Sequence, residues 1–157
     1  MKSLLSSAMV LCFSLASFSQ SLEVTGNFDS THAVYNQNSS RRVCHAHGGH
    51  MTHKGCATKA YDKVEITRED NGDLTVGILA VNENGKRCKY VGPAEMMANG
   101  VQLIVKQNDC DIVVGFQNNK TLSVMTSDTL TCEIALLEAG ICQTGAKIEI
   151  NNLIRLK

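Results

Sequence analysis

From Asp62 onward the chain alternates apolar and polar residues with a period of two. Val64 and Ile66 alternate with Glu65 and Thr67, and Leu74, Val76, Ile78 and Ala80 follow after Asp70-Asn71-Gly72-Asp73. Asn84-Gly85 and Asn99-Gly100 punctuate the chain again. Asn-Gly between alternating runs marks a hairpin, because both residues tolerate positive φ. Further strands are predicted over residues 101–106, 110–116, 121–126, 129–136 and 146–156, with short polar breaks between them. Pro93 carries a helix-start signal for 93–98. Residues 138–145 read as a loop. Residues 20–61 lack the alternation and read as irregular.

Seven or eight strands at about ten-residue spacing predict an all-β domain over 20–157, either an antiparallel β-sandwich or a small barrel. The inward set is Val64, Ile66, Leu74, Val76, Ile78, Leu103, Val105, Ile112, Val114, Phe116, Leu122, Val124, Ile134, Ile148 and Ile150. No linker or charge block sets off a second domain.

The start of the chain has the layout of a secretory signal peptide. Met1-Lys2 is basic, 4–18 is apolar and serine-diluted, and Ser17-Phe18-Ser19 places small residues before a cut at Gln20. Residues 1–19 are therefore expected to be removed, and the protein to be exported to the periplasm or outside the cell. No other apolar run is long enough for a membrane span.

Seven cysteines change the picture further. Cys12 falls in the signal segment. The remaining six, Cys44, Cys56, Cys88, Cys110, Cys132 and Cys142, read as a disulfide framework in an exported chain. Spacing alone does not choose the connectivity. Cys44 with Cys56 and Cys132 with Cys142 are the easier local closures. Cys110 shares strand parity with Ile112, and Cys132 with Ile134, so both thiols are expected to face inward. Strands two apart in a flat sheet lie ~9.6 Å apart, too far for a disulfide. A bridge among Cys88, Cys110 and Cys132 thus requires a closed, two-layer or reordered sheet.

Charge removes some functions. Fifteen basic and fifteen acidic side chains leave no basic footprint for nucleic acid. Phe28, Tyr35, Tyr61, Tyr90 and Phe116 are few stacking platforms for bases or sugars. There is no G-x-S-x-G elbow, P-loop, G-x-G-x-x-G or C-x-x-C pair, so a non-catalytic protein is expected. His32, near Asp29 in sequence, reads as a surface residue.

Two segments carry candidate chemistry. His45, His47, His50 and His53 fall within the stretch bounded by Cys44 and Cys56. Neutral imidazole binds Zn²⁺ and Cu²⁺. On an extended chain His45 and His47 would point the same way, and Gly48-Gly49 would turn His50 and His53 back towards them. Zn or Cu is the cofactor this cluster would take. The bland alternative is a solvated, glycine-rich hairpin end, and no family zinc spacing is matched. The second segment, Lys86, Arg87, Lys89 and Tyr90, follows a hairpin turn and could rim the site of an acidic protein partner.

Residues 85–157 also carry a resemblance. The layout is Gly85-Lys86-Arg87-Cys88 before Gly92, then Asn99-Gly100-Val101-Gln102-Leu103, then Cys110-Asp111-Ile112-Val113-Val114. Cys132 and Cys142 follow before a terminal strand. This is similar to small exported bacterial cysteine-rich β-domain proteins, some of which are grouped with periplasmic lysozyme inhibitors. The resemblance implies an inhibitor-like module acting on a protein. Gln143 stands where a glycine is expected after the last cysteine, and the family's inhibitory loops are not matched. No inhibitory residue is therefore carried over. Two readings result: an exported non-catalytic binding or inhibitor-like module, or a metal-binding protein using residues 45–53.

Overall fold

The structure is a computed structural model and describes residues 22–127 and 129–157. The expected signal segment 1–19 lies outside the described residues. In chain order the elements are β1 (Gly26–Asn36), α1 (Arg41–Ala46), β2 (His50–Thr52), β3 (Gly55–Arg68), β4 (Leu74–Val81) and β5 (Arg87–Met96). They continue as β6 (Gln102–Gln107), β7 (Cys110–Phe116), β8 (Thr121–Thr126), α2 (Leu130–Glu138) and β9 (Glu149–Arg155).

Strands β3 to β9 form an antiparallel meander. β1 lies between β9 and β3 and closes the sheet into an eight-stranded barrel. The short β2 pairs with the start of β3 outside this ring. Eight strands enclose a space that side chains fill. Alternation decides which side chains those are. Val64, Val76, Leu103, Ile112, Val114 and Leu122 are fully buried, and the whole expected inward set except Ile134 is buried. Phe28 and Phe116 meet edge to face inside the barrel, with ring centroids 6.3 Å apart. The Asn-Gly turns link β3 to β4, β4 to β5 and β5 to β6, each with its glycine at positive φ.

Four expectations are corrected. The described part of residues 20–61, from residue 22 on, is not irregular: it contains β1, α1, β2 and half of β3. Residues 93–98 do not form a helix. Pro93 pairs with Thr75, and β5 runs on to Met96. Residues 129–136 are not a strand but belong to α2. Thr129 caps its start, its hydroxyl accepting from the Cys132 N–H at 3.1 Å. At its end Gly140 adopts φ 69°, the Gly140 N–H donates to Leu137 O, and the Ile141 N–H donates to Leu136 O. That pair of bonds is a Schellman stop, which favours glycine at the left-handed position. Helical spacing turns Ile134 outward, 45% exposed, while Cys132, Ala135 and Leu136 face the barrel.

The fourth correction is the disulfide pattern. Cys44–Cys56 forms as expected, but Cys142 joins Cys88 and Cys132 joins Cys110. A helix in place of a strand carries Cys132 back over the start of β7, where Cys110 sits.

Two seams of the barrel are splayed. β5 and β6 pair only at Glu95–Ile104 and Met96–Leu103. The gap is filled by the chain itself: the Lys89 N–H donates to Ile141 O at 2.7 Å, and the Gln143 N–H to Arg87 O at 2.9 Å. The Cys88–Cys142 disulfide fixes that filling segment in place. β1 and β9 pair only at Phe28–Arg155 and Asp29–Ile154. Here Arg155 acts as a clasp. Its guanidinium lies 4.7 Å from the Phe28 ring centroid and donates to the backbone oxygens of Glu23 and Thr25.

Candidate functional site

The outer face of β3, β4 and β5 is built by the same alternation that fills the core. Register places Lys63, Leu79 and Lys89 in one row across the sheet, and Glu65, Gly77 and Val91 in the next. Gly77 has no side chain, so a shallow hollow of about 400 Å³ opens over it, walled by Leu79, Val91 and the basic residues Lys63, Arg87 and Lys89. Val91 is 68% exposed and the nearby Tyr61 52%. Lys63 is paired with Glu65 at 3.0 Å. Among the described residues no carboxylate pairs with Arg87 or Lys89. The face is therefore apolar at its centre and cationic at its rim.

The expected rim is partly corrected. Arg87 and Lys89 stand on this face. Lys86 is exposed but tied to the neighbouring loop, its ammonium donating to Thr144 O at 2.6 Å. Tyr90 is no rim residue: it alternates inward, is 8% exposed, and its hydroxyl donates to Pro93 O at 3.2 Å. Burial raises its pKa above the ordinary tyrosine value. Tyr61, Leu79 and Val91 were not legible as site residues. The signal that would have found them is the outward parity of the strands.

The histidine segment is not the extended loop the spacing suggested. His45 lies in the last turn of α1, His47 is its C-cap, His50 is on β2 and His53 is in the turn before β3. All four are exposed. Cys44 and Cys56 are bonded to each other and clamp α1 to β3. Among the described residues no group of three or more His, Cys, Asp or Glu side chains is placed to hold a metal ion.

A second constellation was missed altogether. His32 is no isolated surface residue. Its Nδ1 lies 3.1 Å from Oδ2 of the buried Asp62, and the Ser30 hydroxyl donates to the same oxygen at 3.1 Å. Oδ1 of Asp62 accepts the Val81 N–H at 2.8 Å. The trio contains serine, histidine and aspartate, but both other members lie against one aspartate oxygen. A hydrolytic triad needs the serine bonded to the histidine. The trio edges a cleft of about 830 Å³ between β1 and the start of β9.

Among the described residues no helix is long and apolar enough to cross a membrane. Compared with protein-family models, with curated proteins and with solved structures, the chain matches none.

Proposed function

We propose that the protein is an exported, non-catalytic binding module that captures an acidic protein partner on the outer face of β3, β4 and β5. One observation carries this reading: Val91 is exposed beside the uncompensated cations Arg87 and Lys89, with Tyr61 exposed further along β3. Interfaces draw their energy from a few apolar and aromatic anchors, and from arginine, on a rigid base. A disulfide-tied strand in a closed barrel is such a base. Complementary charge at the rim speeds encounter and rejects basic competitors. Three disulfides suit an oxidising compartment, which supports export. The inhibitor-like form of this reading, in which the partner is a hydrolase of the cell wall, follows from the resemblance of residues 85–157.

The test is site-specific photo-crosslinking in the producing cells. A crosslinker at Val91 should give a discrete adduct with an acidic protein, and the adduct should be lost in the Arg87→Glu/Lys89→Glu variant. A crosslinker at the exposed Asp111 on β7 is the control. The reading fails if Val91 gives no adduct, or if both positions give the same one.

A further inference from the structure

The two splayed seams of the barrel differ in one respect. The seam beside β5 already holds an extended segment, residues 141–143, bonded backbone to backbone. The seam between β1 and β9 holds none among the described residues. Its opening has a local cause. The β8–β9 register shifts between Leu122 and Val124, and Asn152 sits at φ 58°. A bulge bends the strand that carries it. β9 therefore turns away with β8, while β1 continues along β3 as far as Asn36.

The free edge of β1 can be read from its bonding parity. The Leu156 N–H donates to Asn27 O, and the Tyr35 N–H donates to Glu83 O. Odd-numbered residues of β1 thus turn their backbone groups away from β3. Thr31 and Ala33 lie between those anchors, so their N–H and C=O groups face the cleft with no backbone partner among the described residues. Asp29 pairs with Ile154 and the Tyr35 N–H is taken by Glu83 O, so the unbonded stretch runs from Thr31 to Ala33. It is ~7 Å long, room for an added extended segment of about three residues.

We propose that the β1–β9 seam receives an extended, basic peptide segment of a protein partner, which adds to β1 as a strand. This goes beyond the outer-face reading and uses different residues. Unpaired strand edges bind extended backbone, whose own N–H and C=O groups supply the matching bonds. Charge selects the segment. In the cleft Lys147 is paired with Glu133, Lys54 lies over the Tyr35 ring, and Asp62 is occupied by its donors. Glu83 and Glu149, on the two walls, have no cation partner among the described residues. Lysine or arginine on the inserted strand would supply one. At the β5 seam the same chain already accepts an extended three-residue segment, residues 141–143, backbone to backbone.

The test starts from a phage-displayed library of random linear peptides panned against the oxidised protein. Enriched peptides should be rich in lysine or arginine. They should slow amide hydrogen exchange at Thr31 and Ala33 by roughly tenfold or more, as bonded edge amides do. Ala33→Pro removes one cleft-facing donor and leaves the β3-facing bonds of its neighbours in place. It should abolish binding. Glu83→Gln/Glu149→Gln should weaken basic peptides selectively and leave the fold intact by circular dichroism. Four outcomes would overturn the proposal: no enrichment, acidic or neutral peptides prevailing, full binding to Ala33→Pro, or unchanged exchange at both amides. Protection that rises with protein concentration and needs no peptide would assign the seam to a second copy instead, and would also overturn it.

Discussion

Asp62 bonds the Val81 N–H just beyond the last backbone pair of β3 and β4, which is Lys63–Leu79. The side chain thus substitutes for a missing rung of the ladder. The same carboxylate holds Ser30 and His32 of β1, so one residue ties three strands. Asp62→Ala is expected to cost about 2–3 kcal/mol, because it strands a backbone donor in a half-buried position. Asp62→Asn should cost less, since an amide oxygen still accepts. Urea denaturation of the two variants measures the difference.

The disulfides should rank by the loop each closes. Cys88–Cys142 spans 54 residues and Cys44–Cys56 spans 12. Loop-closure entropy gives about 4 kcal/mol for the first and about 3 kcal/mol for the second. The Cys88→Ala/Cys142→Ala variant should therefore be the less stable of the two double mutants. It also releases the segment that fills the β5 seam. Exchange of the Lys89 amide, bonded to Ile141, should accelerate in that variant and not in Cys44→Ala/Cys56→Ala.

Helix α2 is set by its two ends. Gly140→Ala adds a methyl into open space, so its cost is conformational only, about 1 kcal/mol. Thr129→Ala removes the cap and should cost about 1 kcal/mol as well. Thr129→Ser should restore most of that loss. Thermal melts of the three variants would check the order.

Tyr90 adds a pH limit. Burial raises its folded pKa above that of the unfolded chain. Its contribution to stability is complete below the ordinary tyrosine pKa. It is lost as the pH rises from there through the raised folded value. Stability should thus fall in strongly alkaline solution. Tyr90→Phe should lose about 1 kcal/mol at neutral pH, for the bond to Pro93, and should show a shallower alkaline decline. Chemical denaturation at neutral and alkaline pH separates the two effects.

The histidine segment predicts a metal titration without a single tight site. His45 and His47 belong to the end of α1, His50 to β2 and His53 to a turn, and all four are solvated. Native mass spectrometry with Zn²⁺ and Cu²⁺ is expected to show weak, graded binding with all disulfides intact. One ion held at one-to-one stoichiometry, and lost in His47→Ala/His50→Ala, would instead support the metal reading.

The barrel strands were legible because alternation and Asn-Gly turns agree from Asp62 to Phe116. The strands predicted over 110–116 and 121–126 coincide with β7 and β8. β1 was not legible. Only Phe28 in it is fully buried, since half of its length leaves the barrel along β3 and needs no apolar face. α2 is hidden in the sequence because Leu130, Cys132 and Ile134 alternate like a strand. The competing signals were Thr129 as a cap and Gly140 as a stop, and these decided the matter. The outer-face site is half legible: Arg87 and Lys89 stand out as charges, but Tyr90 points to the other side of its strand, into the barrel. Asp62 escaped notice because its partners Ser30 and His32 lie some thirty residues away in sequence.

Arg155 also dictates when folding can finish. The contacts that shut the barrel join residues 23–29 to residues 154–156. The meander from β3 to β8 can zip as it leaves a ribosome or a translocation channel, since each strand pairs with the one just made. The ring cannot shut until residue 155 has emerged. Until then the lumen-facing side chains lack one wall, and Phe28 has no guanidinium to lie against. A nascent chain stalled before that point is the species most exposed to aggregation and proteolysis. Adding residues 154–156 should act as the switch from a curled, sticky sheet to a ring pinned at Phe28 and Asp29.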